Sequence, residues 1–320
     1  MSSGGGSELI KREHKDFAGY FLSWLATSIT ICICVGIFIY VLANGISQLT
    51  PDFIFKAPNP TANEKLSGGI STPIIGSFIL IIIGLAVSFP WSLATAVYLN
   101  EYASRSKLAG VLRVGIDVLS GVPTIVIAIF GLAVFTNPWF SFLSEMVPGS
   151  DKALGRSFFV AGITMAIMVL PFMIKTCEEA LKAVPDTYRE ASLALGASKL
   201  QTTFRIVVPV ARDGVVTALT LGMGRIIGDT AIVWLTLGDT IRMGGGAQHW
   251  WFPTNIINTL KSTGSTLTSF IFYASPAGEG NQTAKAFGAA LVLILIIVII
   301  NIATDFIGAA DSRMKNPEEK

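Results

Sequence analysis

The chain has 320 residues, 52% of them hydrophobic and 14% charged, with a mean hydropathy of +0.63 and a formal net charge of +2. Soluble domains carry about 25% charged residues, so this composition excludes an ordinary water-soluble globule. The net charge itself says little, because in a membrane protein the distribution of charge outweighs its sum.

The first twenty residues, opening MSSGGGSELIKREHKD, are Gly/Ser-rich and then charged, and read as a flexible cytoplasmic tail. The apolar run after them is too long for the core of a cleavable signal peptide. No charged residue lies between Asp16 and Asp52, Lys65 and Glu101, Asp117 and Glu145, Arg156 and Lys175, or Lys285 and Asp305. Each gap holds an apolar run of the roughly 20 residues that a bilayer-crossing helix needs. These runs do not alternate as barrel strands do, which leaves helices. The predicted fold class is therefore all-α, an integral membrane bundle of six transmembrane helices at about 21–46, 72–99, 114–137, 157–175, 213–238 and 286–307.

In the first span Cys32 and Cys34 read as small buried hydrophobes, as does Cys177 at the end of the fourth. Pro90 in the second span, Gly121 and Pro123 in the third and Pro171 in the fourth supply bends, which membranes tolerate where neighbours satisfy the freed carbonyls. Arg113 and Asp117, four apart at the edge of the third span, read as an anchor that snorkels to the interface.

Between the fourth and fifth spans lies YREASLALGASKLQTTFRIVVP, a polar, gently amphipathic stretch from Tyr188 to Pro209. Pro185 suits a first helical turn. Thr187-x-x-Glu190 and Ser198-x-x-Gln201 both have the form of a capping box. Gly196 sits where a helix ends in a left-handed residue. Two short helices with a turn at Gly196-Ala197 result, too polar to insert, able to lie along the membrane or plug into a soluble partner. Glu190 either contacts that partner or caps its own helix.

The fifth span contains Arg225 and Asp229. Arg225 falls about 12 residues in, roughly 18 Å along the axis at 1.5 Å per residue, near mid-membrane. Arginine does not shed its proton, and a charge at the bilayer centre costs at least ~2.5–3.5 kcal/mol on insertion scales. Four residues on, Asp229 shares its face and can pair with it. Two readings remain open: a guanidinium fork placed to meet an oxyanion in transit, or a buried pair that orders the bundle. The glycines of GMGRIIG read as close helix packing.

Beyond it, the outer segment from Gly244 to Ala274 is long for a loop. Trp250, Trp251 and Phe252 read as an interfacial belt, and part of the segment as a short surface helix. Asn281-Gln282-Thr283 matches a glycosylation sequon by chance. Lys and Arg number fifteen in the connections on the side of both termini and seven on the other, which puts the termini in the cytoplasm. There is no G-x-x-x-x-G-K-[ST] phosphate loop, no H-E-x-x-H and no G-x-S-x-G, and the only histidines are His14 and His249. Catalytic residues, a metal site, a cofactor and a nucleic-acid partner are accordingly not expected.

EASLALGASKLQTTFRIVVP resembles the coupling-loop signature of ABC importer permeases. Glu190, Ala191, Gly196, Ile206 and Pro209 fall on that pattern, with Ser192 in place of a second Ala. SGVPTIVIAIFGL from Ser120, VLPFMIKTCEEALKAVPDTYREASLALGAS from Val169 and GRIIGDTAIVWLT from Gly224 are similar to phosphate permeases of the Pst type. NGISQLTPDFIF, GGISTPIIGSFIL and the tail QTAKAFGAALVLILIIVIINIATD point to the A rather than the C subunit. The resemblance runs from about Gly19 to Asp305. It implies the type I permease fold in a cell membrane, with a permease domain at 72–307 that carries a coupling loop at 178–209. Residues 21–71 would be a first helix and outer loop, and 1–20 and 308–320 cytoplasmic tails. It implies phosphate as substrate, with Arg225, Asp229 and Thr230 on its path. The partners implied are two ABC ATPase subunits, a second permease and an extracytoplasmic phosphate-binding protein. The family motif reads Arg-x-x-Gly-Glu-Thr, so Asp229 is one methylene short. Rival functions are a permease for molybdate or sulfate and a stand-alone ion-coupled carrier, which has no reason to keep a coupling loop.

Overall fold

The computed structural model describes residues 5–58, 68–103, 106–145, 153–238, 253–278 and 280–315. Among them there is no strand, only an isolated bridge between Pro58 and Gly68. The helices are α1 (Gly5–Gly45), α2 (Pro51–Phe55), α3 (Ser71–Val97), α4 (Lys107–Ser120), α5 (Thr124–Phe135), α6 (Phe158–Lys182), α7 (Asp186–Ala194), α8 (Lys199–Thr202), α9 (Val208–Val210), α10 (Arg212–Gly228), α11 (Pro253–Lys261), α12 (Leu267–Ala274) and α13 (Thr283–Lys315). Wider π turns extend α3 through Tyr98–Tyr102 and join α8 to α9 through Thr203–Val207.

Four stretches are long and apolar enough to cross a membrane unbroken, within Gly19–Gln48, Ser71–Tyr102, Phe158–Lys182 and Thr283–Thr304. Two more cross only as bent pairs. α4 and α5 meet at 101°, and the 199–210 stretch meets α10 at 67°. The expected third span, 114–137, is thus not one helix. Gly121 ends α4, and Pro123, with φ −57° and ψ 138°, starts α5. Proline lacks the N–H that a continuing helix needs. The fifth span, 213–238, is also interrupted: α10 stops at Gly228, Asp229 is extended, and a helical turn resumes at Ala231. Pro90 and Pro171, by contrast, lie inside continuous helices.

α6 is the centre of the bundle. Its apolar window is 67% buried, with Phe158, Met165, Met173 and Leu181 fully enclosed, and it packs chiefly on α3 and α10. Glycine allows close approach between these helices: a Cβ on Gly162 would strike Ile83, and one on Gly84 would come within 2.9 Å of Ile226 Cδ1. Small residues let helix backbones meet where lipid provides no hydrophobic drive between them. Among the GMGRIIG glycines only Gly222 packs in this way, where a Cβ would come within 2.9 Å of Met173 Sδ; a Cβ on Gly224 or Gly228 would meet nothing within 4 Å. Cys177 is buried as expected, but Cys32 and Cys34 are exposed on α1. α1 stands outside the core, its apolar window 0% buried, and leans on α13 where Tyr40 meets Phe287 edge-to-face at 5.5 Å.

Past α10, the outer segment forms α11 and α12 rather than one short helix. Trp250, Trp251 and Phe252 lie outside the described residues.

Candidate functional site: a projecting helical turn and a broken membrane helix

α7 and α8 form a projecting corner at the end of the bundle where α3 and α6 finish. α7 starts from Pro185, which makes no side-chain cap, so the expected Thr187–Glu190 box is absent. Proline fixes φ for the entry and needs no donor there. The exit is a Schellman turn: Ala197 N donates to Ser192 O at 3.2 Å and Gly196 N to Leu193 O at 3.0 Å. Gly196 takes φ +82°, with open space around its missing Cβ. α8 starts on the capping box read from the sequence, with Ser198 N donating to Gln201 Oε1 at 2.9 Å and Gln201 N to Ser198 Oγ at 3.3 Å. The buried hydroxyls of Ser192 and Thr202, 2.9 Å apart, tie the two helices together.

Glu190 and Ala191 are exposed, Gly196 is at the tip, and Ile206 and Pro209 are half-buried where the stretch returns to the bundle. The corner also presents apolar side chains to the outside. Leu195 is 90% exposed, and Tyr188, Leu193, Leu200 and Phe204 are at least half as open. An exposed apolar cluster of this kind marks a protein contact.

The underside of α7 holds a residue that sequence reasoning counted only among the basic side chains of the loop. Arg189 Nε and Nη2 both donate to Glu101, with the nearest contact at 2.9 Å. Nη2 also reaches Leu181 O at 2.9 Å, while Nη1 donates to Val184 O at 2.7 Å and to Asp186 Oδ1 at 3.0 Å. The two side chains of the central pair are 17% and 7% exposed.

Nearby, Arg113 and Asp117 do not simply snorkel. Arg113 pairs with Glu178 at 2.9 Å and Asp117 with Lys175 at 2.7 Å, so α4 is strapped to α6 twice. Lys182 adds a second cation to Glu178 at 2.8 Å.

In the broken fifth span, Arg225 occupies the last turn of α10 and is exposed on this chain. Its Nε lies 3.1 Å from Met168 Sδ, and its guanidinium carbon 5.7 Å from the centre of the Phe172 ring. The expected pair with Asp229 does not form: among the described residues no ion pair joins them. Four-residue spacing aligns side chains only along a continuous helix, and the helix ends one residue before Asp229. Asp229, with φ −80° and ψ 129°, instead accepts from Ile232 N at 2.8 Å and caps the resumed turn. Its carbonyl accepts from Thr268 Oγ1 at 3.3 Å. Thr230 lines an adjoining cavity of about 550 Å³ with Ile125, Trp234, Thr268 and Phe272. No group of three or more His, Cys, Asp or Glu able to hold a metal occurs among the described residues.

Membrane helices wrapped round a central α6, a projecting helix–turn–helix at one end and a cation at a break within the bundle together define a membrane transport subunit. The chain belongs to the family of binding-protein-dependent transport system inner membrane components, which it matches over residues 88–315. It is 30% identical over 288 residues to the probable ABC transporter permease protein YqgI of Bacillus subtilis, covering 89% of this chain and 92% of that one. It is 29% identical over 252 residues to the phosphate transport system permease protein PstA 1 of Mycobacterium tuberculosis, covering 79% and 74%. A probable phosphate transport system permease protein PstC of Methanocaldococcus jannaschii is 30% identical over 262 residues, covering 78% and 77%. Among solved structures, a bacterial ABC transporter involved in the import of the acidic polysaccharide alginate shares the fold at TM-score 0.61 and 16% identity, over 95% of this chain and 99% of that one. A chain of the MetNI methionine ABC transporter, in inward-facing form, does so at TM-score 0.52 and 17% identity, over 76% and 94%. The protein is thus a multi-pass inner-membrane ABC permease of the type I fold.

Proposed function

We propose that this permease forms half of the translocation pathway of an ATP-driven inorganic phosphate importer. A second, related permease provides the other half, two ATPase subunits the energy, and an extracytoplasmic binding protein the phosphate. The names of the relatives support the substrate. Arg225 supports the route: it is exposed on this chain, inside a membrane span, with a thioether and an aromatic ring rather than a carboxylate against its guanidinium. A charge held this way keeps its planar fork free for an oxyanion. We place the permease domain at 72–307, both termini in the cytoplasm, and the substrate path along Arg225 and Thr230, with Asp229 shaping the break between them. We place ATPase coupling on the exposed corner, through Glu190, Ala191 and Gly196, with Ile206 and Pro209 fixing its return to the bundle.

The test is radiolabelled phosphate uptake by the assembled complex. Arg225→Gln abolishes uptake while subunit abundance after detergent extraction stays normal. Arg225→Lys recovers little, because a point charge does not reproduce the fork. Uptake at the wild-type level per complex in Arg225→Gln rules the route out. Wild-type uptake that molybdate or sulfate displaces better than phosphate reassigns the substrate to another oxyanion.

A further inference from the structure

We infer that Arg189, held by Glu101, is a positioning residue that makes the α7–α8 corner move as one body with α3 and α6. The inference rests on the reading that this corner meets the ATPase.

Left to its own packing, α7 is poorly held. It has nine residues, of which only Ser192 is buried. Its close backbone approaches are to α8 and the π turn after it, with hardly any to α3 or α6. A cavity of about 460 Å³ opens beside it, lined by Asn100, Lys182, Asp186, Lys199 and Thr202 together with the Arg189–Glu101 pair. A push on α7 would therefore be taken up by tilting of the corner unless something spans the gap to the membrane helices.

Arg189 spans it. The residue next to Glu190 on the exposed side sends its side chain inward, to three elements at once. Glu101 belongs to the π turn that ends α3, and its carboxylate is itself steadied by Asn100 Nδ2, 2.8 Å from Oε1. Leu181 is in the last turn of α6, and Val184 follows it. Their carbonyls lie at a helix C-terminus, where a cation is favoured. Asp186 ties the same guanidinium to the start of α7. One rigid planar group with five donors thus joins the corner to both membrane helices. Lysine cannot do this, because its donors all sit on one nitrogen. The pair is 17% and 7% exposed, so water does little to weaken it.

The prediction concerns coupling, beyond stability. The assembled importer, with its second permease, ATPase and binding protein, is reconstituted in proteoliposomes. Hydrolysis stimulated by phosphate-loaded binding protein and phosphate uptake are measured on the same vesicles. In Arg189→Lys and in the near-isosteric Glu101→Gln, stimulated hydrolysis persists while ATP consumed per phosphate imported rises by about tenfold, within the roughly 5–150-fold range of coupling effects. Lys182→Gln, which removes a charge from the same cavity but not from this pair, leaves the ratio unchanged. Hydrolysis and uptake falling in parallel, a changed ratio in Lys182→Gln as well, or failure of both Arg189→Lys and Glu101→Gln to assemble would each overturn the inference. Absence of ATP-dependent phosphate uptake by the wild-type complex would instead sink the function proposed above, whatever the variants do.

Discussion

Asp229 shows how a short side chain decides a local structure. The motif that the sequence resembles has Glu at this position, and the sequence suggests an ion pair to Arg225. In the structure the carboxylate instead turns back onto Ile232 N–H and caps the turn after the break. Asp and Asn are equally good caps, and replacing either with Ala costs about 0.5–2 kcal/mol. Asp229→Asn should therefore assemble and melt as the wild type does. Asp229→Ala should destabilise the detergent-extracted complex by an amount within that range, read as a lower melting point. An Asp229→Asn complex as fragile as Asp229→Ala would show that the charge, rather than the cap, matters. Arg225 was legible because an uncompensated charge stands out in an apolar run. Its surroundings were not, since Met168 and Phe172 are more than fifty positions away and nothing in their own stretch sets them apart. Arg189 and Glu101 were illegible for the same reason. They are 88 positions apart; Glu101 looks like an ordinary charge at the end of a span, and Arg189 like one basic residue among several in a polar loop.

At the level of elements, what was legible was local. Hydropathy over about 20 residues finds a helix that crosses in one piece, and α3, α6 and α13 appear where expected. It is blind to direction. Gly121 and Pro123 mark a break in the third span, but not that α4 leaves α5 at 101° and is strapped to α6 by Arg113 and Asp117. The turn between α7 and α8 was legible in detail, because Schellman and capping-box chemistry lies within six residues. It also fixes a prediction. A non-glycine residue in the left-handed region costs roughly 1–2 kcal/mol, and a β-branched one sits there worst. Gly196→Val has open space for its side chain, so its effect is conformational: the corner loses its shape while the bundle inserts. Stimulated ATP hydrolysis should fall severalfold at unchanged subunit abundance. Full hydrolysis with normal uptake in Gly196→Val would count against docking at this corner.

For the whole molecule the contrast is between α6 and α1. Met165 in the centre of α6 is 0% exposed, whereas Ile33 on α1 is 56% exposed. Met165→Ala should cost about 2–5 kcal/mol, as large-to-small changes in a packed core do. Ile33→Ala should stay within about 0.5 kcal/mol. Thermal melting of the detergent-solubilised protein separates the two, and equal losses would mean that α1 is packed as tightly as α6. The attachment of α1 has a mechanical side as well. It is fixed near one end, where Tyr40 and Gly45 meet Phe287, and from Gly19 to Tyr40 it runs free of the core for about 30 Å at 1.5 Å per residue. It is a boom on a pivot. A rocking of about 10° at Phe287 carries the far end of that 1.5 Å-per-residue rod through about 5 Å, roughly half a helix diameter. The backbone stays satisfied throughout, since a membrane helix bonds to itself. Within this chain, then, a sideways sweep of the first helix in the plane of the bilayer is opposed only by its attachment to α13, and in the assembled importer by whatever the second permease packs against that length.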